Sequence, residues 1–543
     1  MSSTAAPDQK LAEFKRAADQ ALRAKDLTRA GQVAADAAEA GLRDAALLQL
    51  AAHHYLRSRT FDRALLCAEQ AVELAPQSAD ALGTLGFCRI ANGQYKSAAE
   101  ILDRSLAIAP SSPPLHFNKG LALECMGELA AARAQYRRAA SLAPRYAEAL
   151  GRAGYLAALQ GDMKEARDLG TRSLAADTTN IWGMFGLSIA EIDYGKLGGI
   201  EKRLKPICDN PAYDVPTRSQ AYGILGDAFD AAGEHDRAFQ CYEARGRIGH
   251  SAYTPPPELG FETQLERVRR LDRYFASADP APWRERQAAP SPIGTHVFLL
   301  GFARSGTTLL EQVLAAHGGV EAMGERDCLG GSYPFTESDA QLDRFAAMTS
   351  DELMPYRISY WKRVQDTGAR LDRPVFVDKV PLNSVVLCLI AKLFPDAKII
   401  LAVRDPRDVV FSSFRRRFGI TQHTYELLTL EGAAAYYDAV MSLVQTYRSV
   451  LKLDLQELRY EDLVADFEGA CAGLCTFLGI EYNSGMRDFA QKARLRDVNT
   501  PSAAQVVREL NTEGIGQWRP YAQHVAPVMP LLSPWAEKFG YGS

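Results

Sequence analysis

The sequence predicts a multidomain fold in which an all-α solenoid precedes an α/β domain with a parallel sheet. Three observations predict it. The first half repeats with a period of 34 residues, the second half alternates apolar strands with helices, and a proline-rich stretch separates the two. A chain of 543 residues is long enough for two or more domains with their own cores. We expect the solenoid over residues 1–250, a helical and proline-rich linker over 251–293, and the α/β domain over 294–543.

The repeat is visible in small residues and prolines that recur together. Its alanines are Ala64, Ala98, Ala132 and Ala166, its glycines are Gly86, Gly120 and Gly154, and its prolines are Pro76, Pro110 and Pro144. Each unit therefore predicts two helices joined by a tight turn and ended by a proline. This pattern resembles tetratricopeptide repeats, which implies a surface for an extended peptide or a partner protein. The alternative is a scaffold for folding or dimerisation, and a homodimer stays open.

Composition narrows the classes of partner and site. The net charge of −4 gives no electrostatic reason to expect nucleic acid or an anionic membrane surface. No run of about 18 apolar residues suggests a membrane span, and the polar amino terminus lacks a signal-peptide pattern. The nine cysteines include no C-x-x-C pair. We therefore expect reduced, buried thiols in a cytoplasmic protein without a metal site.

The α/β domain is predicted to begin with a strand, a loop bounded by glycines, and a helix. Residues 297–300 are apolar, the loop spans 301–306, and apolar residues at helical spacing follow. Loop N–H groups and the positive end of a helix dipole together bind anions. The glycines lie where the nucleotide P-loop has them, but Thr307 replaces the P-loop lysine. This P-loop-like element, with Arg304 inside it, favours an anion other than the β/γ-phosphates of ATP or GTP.

Three cations follow predicted strands of this domain. Arg304 follows the first strand, Lys379 follows the strand at 375–377, and Arg404 follows the strand at 398–403. Because the carboxyl ends of parallel strands meet at one edge of a sheet, we expect these cations to converge. Three converging cations imply a polyanionic ligand.

Two segments resemble the nucleotide-binding motifs of sulfotransferases that use 3′-phosphoadenosine 5′-phosphosulfate (PAPS). The loop over 301–308 resembles their 5′-phosphosulfate loop, and Arg404 with Ser412 resembles their 3′-phosphate motif. An arginine fork and a hydroxyl near a helix start suit one phosphate. The resemblance covers about residues 295–520 and is closest to tyrosylprotein sulfotransferases. It implies transfer of a sulfuryl group from PAPS to a hydroxyl, with a peptide or protein tyrosine as the favoured acceptor.

The resemblance also implies roles for individual residues. It implies that Arg304 and Lys379 stabilise the leaving group and that Glu325 is the catalytic base. A serine of the family that hydrogen-bonds the transferred group corresponds to Ser502. The implied donor contacts are Arg304, Ser305, Gly306, Thr307, Thr308, Arg404, Ser412, Tyr460 and Trp518. No metal is implied, since sulfuryl transfer involves less charge than phosphoryl transfer.

The sequence departs from the related enzymes at two of these places. Arg326 stands where they have a second glutamate beside the base. His317 is the competing base, although a histidine at a helix end is commonly a cap. Gln517 replaces a basic residue before the tryptophan, and Arg508 and Arg519 are the candidate substitutes.

Three other functions stay open at this point. The acceptor is alternatively a carbohydrate, a lipid or a small molecule with a hydroxyl. A non-catalytic interaction protein with a degenerate nucleotide pocket is the second alternative, and a nucleotide kinase, which the missing P-loop lysine disfavours, is the third. The arginine triplet at 415–417 is either a solvated helix face or an attraction for an acidic peptide. A solenoid ahead of the catalytic domain would raise the effective concentration of such an acceptor.

Overall fold

The computed structural model of the chain describes residues 5–253, 262–285, 289–418, 421–493, 510 and 512–542. Two compact units make up the chain. The first comprises Met1–Ala158 and Asp162–Ala190, and the second comprises Leu159–Gly161 and Glu191–Ser543. The described part of the chain has no helix with the length and apolar character that a membrane span requires.

Antiparallel helix pairs build the first unit. Its helices are α1 (Ala5–Arg23), α2 (Leu27–Glu39), α3 (Ala45–Arg57), α4 (Phe61–Leu74), α5 (Ala79–Ala91), α6 (Tyr95–Ile108), α7 (Pro113–Cys125), α8 (Leu129–Leu142), α9 (Ala147–Leu159), α10 (Met163–Ala176) and α11 (Ile181–Asp193). Asp44 and Ser78 cap α3 and α5 by accepting hydrogen bonds from first-turn N–H groups. The repeated Ala64 and Ala98 are fully buried where helices pack. The predicted helical solenoid is confirmed.

The second unit combines helices with a five-stranded sheet. Its first helices are α12 (Ile200–Cys208), α13 (Val215–Ala231), α14 (His235–Tyr253), α15 (Gln264–Ser277) and α16 (Ala281–Arg284). Its strands are β1 (Thr295–Gly301), β2 (Val320–Met323), β3 (Val375–Lys379), β4 (Lys398–Val403) and β5 (Asp454–Arg459). The helices among and after them are α17 (Thr307–Ala315), α18 (Asp339–Ala346), α19 (Ser350–Asp366), α20 (Leu387–Leu393), α21 (Pro406–Arg415), α22 (Leu430–Val450), α23 (Tyr460–Ala465), α24 (Phe467–Leu478), α25 (Phe489–Ala493), α26 (Ala522–Val525) and α27 (Met529–Lys538).

The sheet is parallel throughout, with the strand order β2-β3-β1-β4-β5. The most central strand is β1, whose residues after Thr295 are all buried. In the register, Leu299 lies beside Lys379 of β3, and Gly301 lies beside Ala402 of β4. The carboxyl ends of the three central strands therefore meet at one edge, where ligands of parallel sheets bind. The predicted α/β domain with a parallel sheet is confirmed.

Three helices that the sequence places in the solenoid belong to the second compact unit. These are α12, α13 and α14, and α14 packs against α21. Asp230 of α13 forms an ion pair of 3.1 Å with Arg415, and Asp227 forms one with Arg417. Both predictions for the arginine triplet are therefore wrong for Arg415 and Arg417, because these side chains are largely enclosed and already paired. Packing extends this unit back to Glu191, whereas the sequence places a domain boundary near residue 294.

A substitution at Gly246 tests how closely α14 packs within this unit. Alanine inside a helix normally favours the helix over glycine by up to about 1 kcal/mol. A Cβ on Gly246, however, would clash with the carbonyl oxygen of Leu428. We therefore expect Gly246→Ala to lower the free energy of unfolding by about 1–3 kcal/mol. Urea unfolding measures this change. The control is Gly198→Ala, whose added Cβ has nothing within 4 Å, and equal stability of the two variants would contradict the close approach.

Candidate functional site

The loop after β1 leads directly into the amino terminus of α17. Gly306 is the N-cap residue, with φ of 91°, and has no side chain to cap the helix. Arg304 also has a left-handed φ, 72°, which is uncommon outside glycine. The buried polar side chains of the loop and the first turn are Ser305, Thr307 and Thr308. A helix amino terminus left open in this way favours an anion through its N–H groups and its dipole.

Two positions in the loop leave no room for a side chain. A Cβ on Gly301 would stand 2.7 Å from the carbonyl oxygen of Ala402 in β4. A Cβ on Gly306 would stand 2.7 Å from the ring of Tyr460. Tyr460 begins α23, directly after β5, and its ring also lies 4.9 Å from the guanidinium carbon of Arg404. The predicted donor contact Tyr460 therefore lies against both anion-binding segments.

The two predicted anion-binding motifs adjoin each other. Nε of Arg304 donates a hydrogen bond of 3.0 Å to Oγ of Ser412, which is buried in α21. Nη1 of Arg404 donates one of 3.0 Å to the carbonyl oxygen of Arg304, and Nη2 donates to the carbonyl oxygen of Gly514. The arginines that follow β1 and β4 thus share one place at the carboxyl edge of the sheet.

Positive charge is concentrated at this place. Desolvation, followed by repulsion from Arg416, Arg404 and Arg415, lowers the pKa of Arg304 well below its ordinary value. Nε of Arg404 is buried and has no hydrogen-bond partner among the residues that the structure describes. A bound anion would relieve the repulsion and supply an acceptor, so the site suits a multiply charged ligand.

Lys379 lies at the end of β3, fully enclosed between two carboxylates. Its Nζ is 2.8 Å from Oε1 of Glu325 and 3.0 Å from Oε2 of Glu311. Burial opposes the charge of Lys379, but the two carboxylates outweigh burial and raise the pKa of the ammonium group. Lys379 is therefore a fixed cation, and the structure brings it together with Glu325.

The two carboxylates differ in their access to solvent. The side chain of Glu325, in the loop after β2, is 39% exposed, whereas that of Glu311 on α17 is 8% exposed. Glu311 also accepts a hydrogen bond of 3.1 Å from Gln312. Sequence reasoning missed Glu311, although a charged residue one helical turn after Thr307 in an apolar helix was a usable signal. Glu325 is thus the more accessible of the two carboxylates.

A buried series of hydrogen bonds begins at Asp378, the residue before Lys379. Oδ2 of Asp378 accepts a hydrogen bond of 2.9 Å from Tyr360, whose hydroxyl lies 2.9 Å from Nε2 of His296. Burial raises the pKa of Asp378 to about 7 and lowers that of His296 to about 3. Motif spacing does not predict this series of hydrogen bonds, because its residues come from β1, β3 and α19.

The start of α21 holds the segment that carries Trp518. Asp408 accepts hydrogen bonds from the backbone N–H groups of Gly516 at 2.7 Å and Trp518 at 3.1 Å. The ring of Trp518 lies 4.6 Å from the guanidinium carbon of Arg407, and within the described part of the chain its buried indole N–H has no hydrogen-bond partner. The structure brings this predicted donor contact to the same edge as the loop.

A cation lies beside the position where the related enzymes have a basic residue. Oε1 of Gln517 accepts a hydrogen bond of 2.6 Å from the side chain of Arg415. Arg415 was not among the candidate substitutes, and Arg519 is exposed. The other candidate, Arg508, lies outside the described residues, as does Ser502.

His317 lies at the opposite end of α17 from the anion-binding loop. Its Nε2 is 2.9 Å from the carbonyl oxygen of Glu481, and its Nδ1 accepts a hydrogen bond of 3.0 Å from the N–H of Gly319. His317 therefore links the backbone at Gly319 to the backbone at Glu481, which favours a structural role. Across the described residues, no group of three or more His, Cys, Asp or Glu side chains could hold a metal ion.

Comparison with known proteins gives matches for both parts of the chain. The sulfotransferase family matches residues 296–484, which contain the loop, Lys379 and α21. Tetratricopeptide repeats match residues 55–116 and 117–181.

Curated relatives match the chain at low identity. An uncharacterized protein of Aquifex aeolicus is 22% identical over 389 residues, which are 70% of this chain and 49% of that protein. The omega-hydroxy-beta-dihydromenaquinone-9 sulfotransferase of Mycobacterium tuberculosis is 31% identical over 24% of this chain and 36% of its own length. Protein-tyrosine sulfotransferase A of Caenorhabditis elegans is 25% identical over 45% of this chain and 67% of its own length. The chain thus spans less than half of the first two of these relatives.

The buried carboxyl of Asp378 makes stability depend on pH. Its pKa of about 7 lies above the ordinary 3.8, so the folded protein holds this proton more tightly than the unfolded chain does. As pH rises from about 4 to about 7, this group lowers the free energy of unfolding by about 1.4 kcal/mol per pH unit. Asp378→Asn removes the titration, so we expect the variant to gain stability relative to the parent protein over that interval. Urea unfolding at several pH values measures the difference.

The exposed Asp488→Asn is the control for this experiment. It should follow the parent protein at every pH. Parallel pH profiles for Asp378→Asn and the parent protein would contradict the proposed titration of Asp378.

Proposed function

Because the chain carries tetratricopeptide repeats followed by a C-terminal sulfotransferase domain, we propose that it transfers a sulfuryl group from PAPS to a hydroxyl. The observation that carries this proposal is the 3.0 Å contact between Arg304 and Ser412, with Arg404 bonded to the backbone of the loop. PAPS carries a 5′-phosphosulfate and a 3′-phosphate. Its binding therefore requires that the loop with Arg304 and the pair Arg404 and Ser412 lie at one place. The open amino terminus of α17 and the unpartnered Nε of Arg404 fit such a donor.

The cations at this edge supply the electrostatic part of the proposed reaction. Bound PAPS provides a sulfuryl group whose transfer leaves negative charge on the nucleotide. Arg304, Lys379 and the N–H groups at the start of α17 stabilise that charge. Lys379 is already held as a cation by its two carboxylates, so little reorganisation is needed when the charge develops. Ser502 stays a proposed contact to the transferred group on the strength of the sequence motif.

Glu325 is the proposed base. Its partly exposed carboxylate accepts the proton of the acceptor hydroxyl, which makes the oxygen a better nucleophile. When Glu325 takes that proton, its interaction with Lys379 weakens. The enclosed Glu311 remains 3.0 Å from Lys379 and keeps the ammonium group charged and in place.

A peptide or protein tyrosine is the favoured acceptor. The name of the Caenorhabditis relative supports this choice, and the repeats provide a surface on which a peptide can be held near the site. The name of the mycobacterial relative supports a second candidate, a hydroxyl on a small molecule or lipid. We place the reaction in the cytoplasm.

One experiment separates these candidates. The full chain is incubated with PAPS that carries labelled sulfate and, in parallel, with an acidic tyrosine peptide, an oligosaccharide and a hydroxylated quinone. Mass mapping then locates the modified group. Label on tyrosine supports the favoured acceptor, and label only on the sugar or quinone replaces it. Binding of adenosine 3′,5′-bisphosphate without transfer to any acceptor would favour a non-catalytic interaction protein, and preferential ATP binding would favour a kinase.

Replacing the proposed base tests the mechanism. Glu325→Gln keeps an oxygen that can accept the hydrogen bond from Lys379 but cannot take a proton. We expect kcat to fall by about 10²–10⁴-fold, while the Kd for adenosine 3′,5′-bisphosphate changes little. Single-turnover kinetics and calorimetry measure the two quantities. Glu337→Gln, at an exposed position, is the control, and turnover of Glu325→Gln near the parent value would rule out this base.

Glu311→Gln tests the second carboxylate through the pH profile. Glu311 raises the pKa of Lys379, so its loss should lower that pKa. Lys379 would then lose its proton at a lower pH, and the alkaline limb of the kcat profile should move to lower pH. Turnover measured from neutral to alkaline pH shows this shift. An alkaline limb that stays in place would mean that Glu311 does not sustain the charge of Lys379.

A further inference from the structure

Arg245 of α14 reaches the carboxyl terminus of α21 inside the second unit. Its Nη1 donates hydrogen bonds to the carbonyl oxygens of Arg415, at 3.2 Å, and Arg416, and its Nη2 donates to that of Phe414. The last carbonyl groups of a helix have no partners within the helix. Arg245, a residue that is only 3% exposed, therefore donates hydrogen bonds to three carbonyl oxygens at the end of α21.

The charge of Arg245 suits this position. Burial lowers the pKa of Arg245 to about 10, and the nearby Asp227 opposes that change. The side chain is therefore a cation at neutral pH. A cation at the carboxyl end of a helix interacts favourably with the helix dipole, most strongly where water is excluded.

The same helix carries the proposed contacts to the 3′-phosphate. Ser412 lies two residues before Phe414, and Arg404 lies two residues before the first residue of α21. Near its start, Asp408 holds the backbone of the Trp518 segment. Any displacement of α21 along or around its axis would change the 3.0 Å contact between Ser412 and Arg304.

The helix pair α13–α14 contacts α21 at further points. Asp230 accepts a hydrogen bond of 2.6 Å from the hydroxyl of Tyr521, whose ring lies 4.3 Å from that of Phe411. The ring of Phe239 lies 5.6 Å from that of Phe414. The helix pair thus supports α21 with aromatic packing, ion pairs and the Arg245 cap.

We propose that Arg245 is a positioning residue of the donor site. By holding the carboxyl end of α21, it places Ser412 and Arg404 for the 3′-phosphate without touching the donor. The helix pair α13–α14 then contributes to nucleotide binding through its contacts with α21. This inference rests on the proposed function, because the 3′-phosphate is the group that distinguishes PAPS.

Selectivity between two nucleotides tests the proposal. Adenosine 3′,5′-bisphosphate carries the 3′-phosphate and AMP lacks it, so the ratio of their Kd values reports on the Ser412 and Arg404 contacts alone. Calorimetry on the full chain measures both Kd values. We expect Arg245→Met to lower the preference for the bisphosphate by about 10-fold, which corresponds to about 1.4 kcal/mol.

Two further variants complete the experiment. Arg247→Met changes an arginine of the same helix whose side chain is 75% exposed, and its selectivity should equal that of the parent protein. Arg245→Lys keeps the charge at the helix end but not the planar fork, so it should recover part of the selectivity. If Arg245→Met does not fold, Arg245→Lys decides: reduced selectivity supports the proposal, and parental selectivity overturns it.

The remaining outcomes are also decisive. Equal losses of affinity for both nucleotides in Arg245→Met would show a general structural role and overturn the proposal. Unchanged selectivity in a folded Arg245→Met would overturn it too. Failure of the parent protein to prefer the bisphosphate would instead overturn the proposed function, and the inference with it.

Discussion

The proposed donor site depends on the hydrogen bond between Arg304 and Ser412. One partner follows the central strand β1, and the other lies on α21, which follows β4. The parallel sheet brings the two segments to the same edge, and α21 fixes the distance between them. Desolvation and neighbouring arginines lower the pKa of Arg304, so the arrangement is electrostatically unfavourable until an anion is present. The geometry of these side chains therefore favours a multiply charged anion.

Lys379 shows a different solution to the problem of burying a charge. It is enclosed completely, yet Glu311 and Glu325 keep it protonated. One carboxylate is enclosed and the other is accessible, so proton transfer at Glu325 need not leave the buried ammonium group without a partner. For the neighbouring Asp378, on the same strand, burial instead raises the pKa of the carboxyl group.

The sequence predicted features that follow from local pattern. Repeat spacing predicted the helix pairs, apolar runs predicted β1, β3 and β4, and the cations at strand ends predicted that Arg304 and Arg404 lie together. It did not predict Glu311, Asp378 or Arg245, because their roles come from partners far away in the chain, such as Tyr360 for Asp378. The arginine triplet was misjudged for the same reason, since Asp227 and Asp230 lie almost two hundred residues earlier.

The contact between Gly246 and Leu428 distinguishes two kinds of helix pair in evolutionary terms. A helix pair in the first unit mainly touches its neighbours, so duplication or deletion there alters the length of the array. The pair α13–α14 instead packs inside the second unit, where a methyl group on Gly246 would clash with the backbone of Leu428. Gene rearrangements that lengthen or shorten this protein should therefore accumulate toward its amino-terminal repeats and spare the last pair.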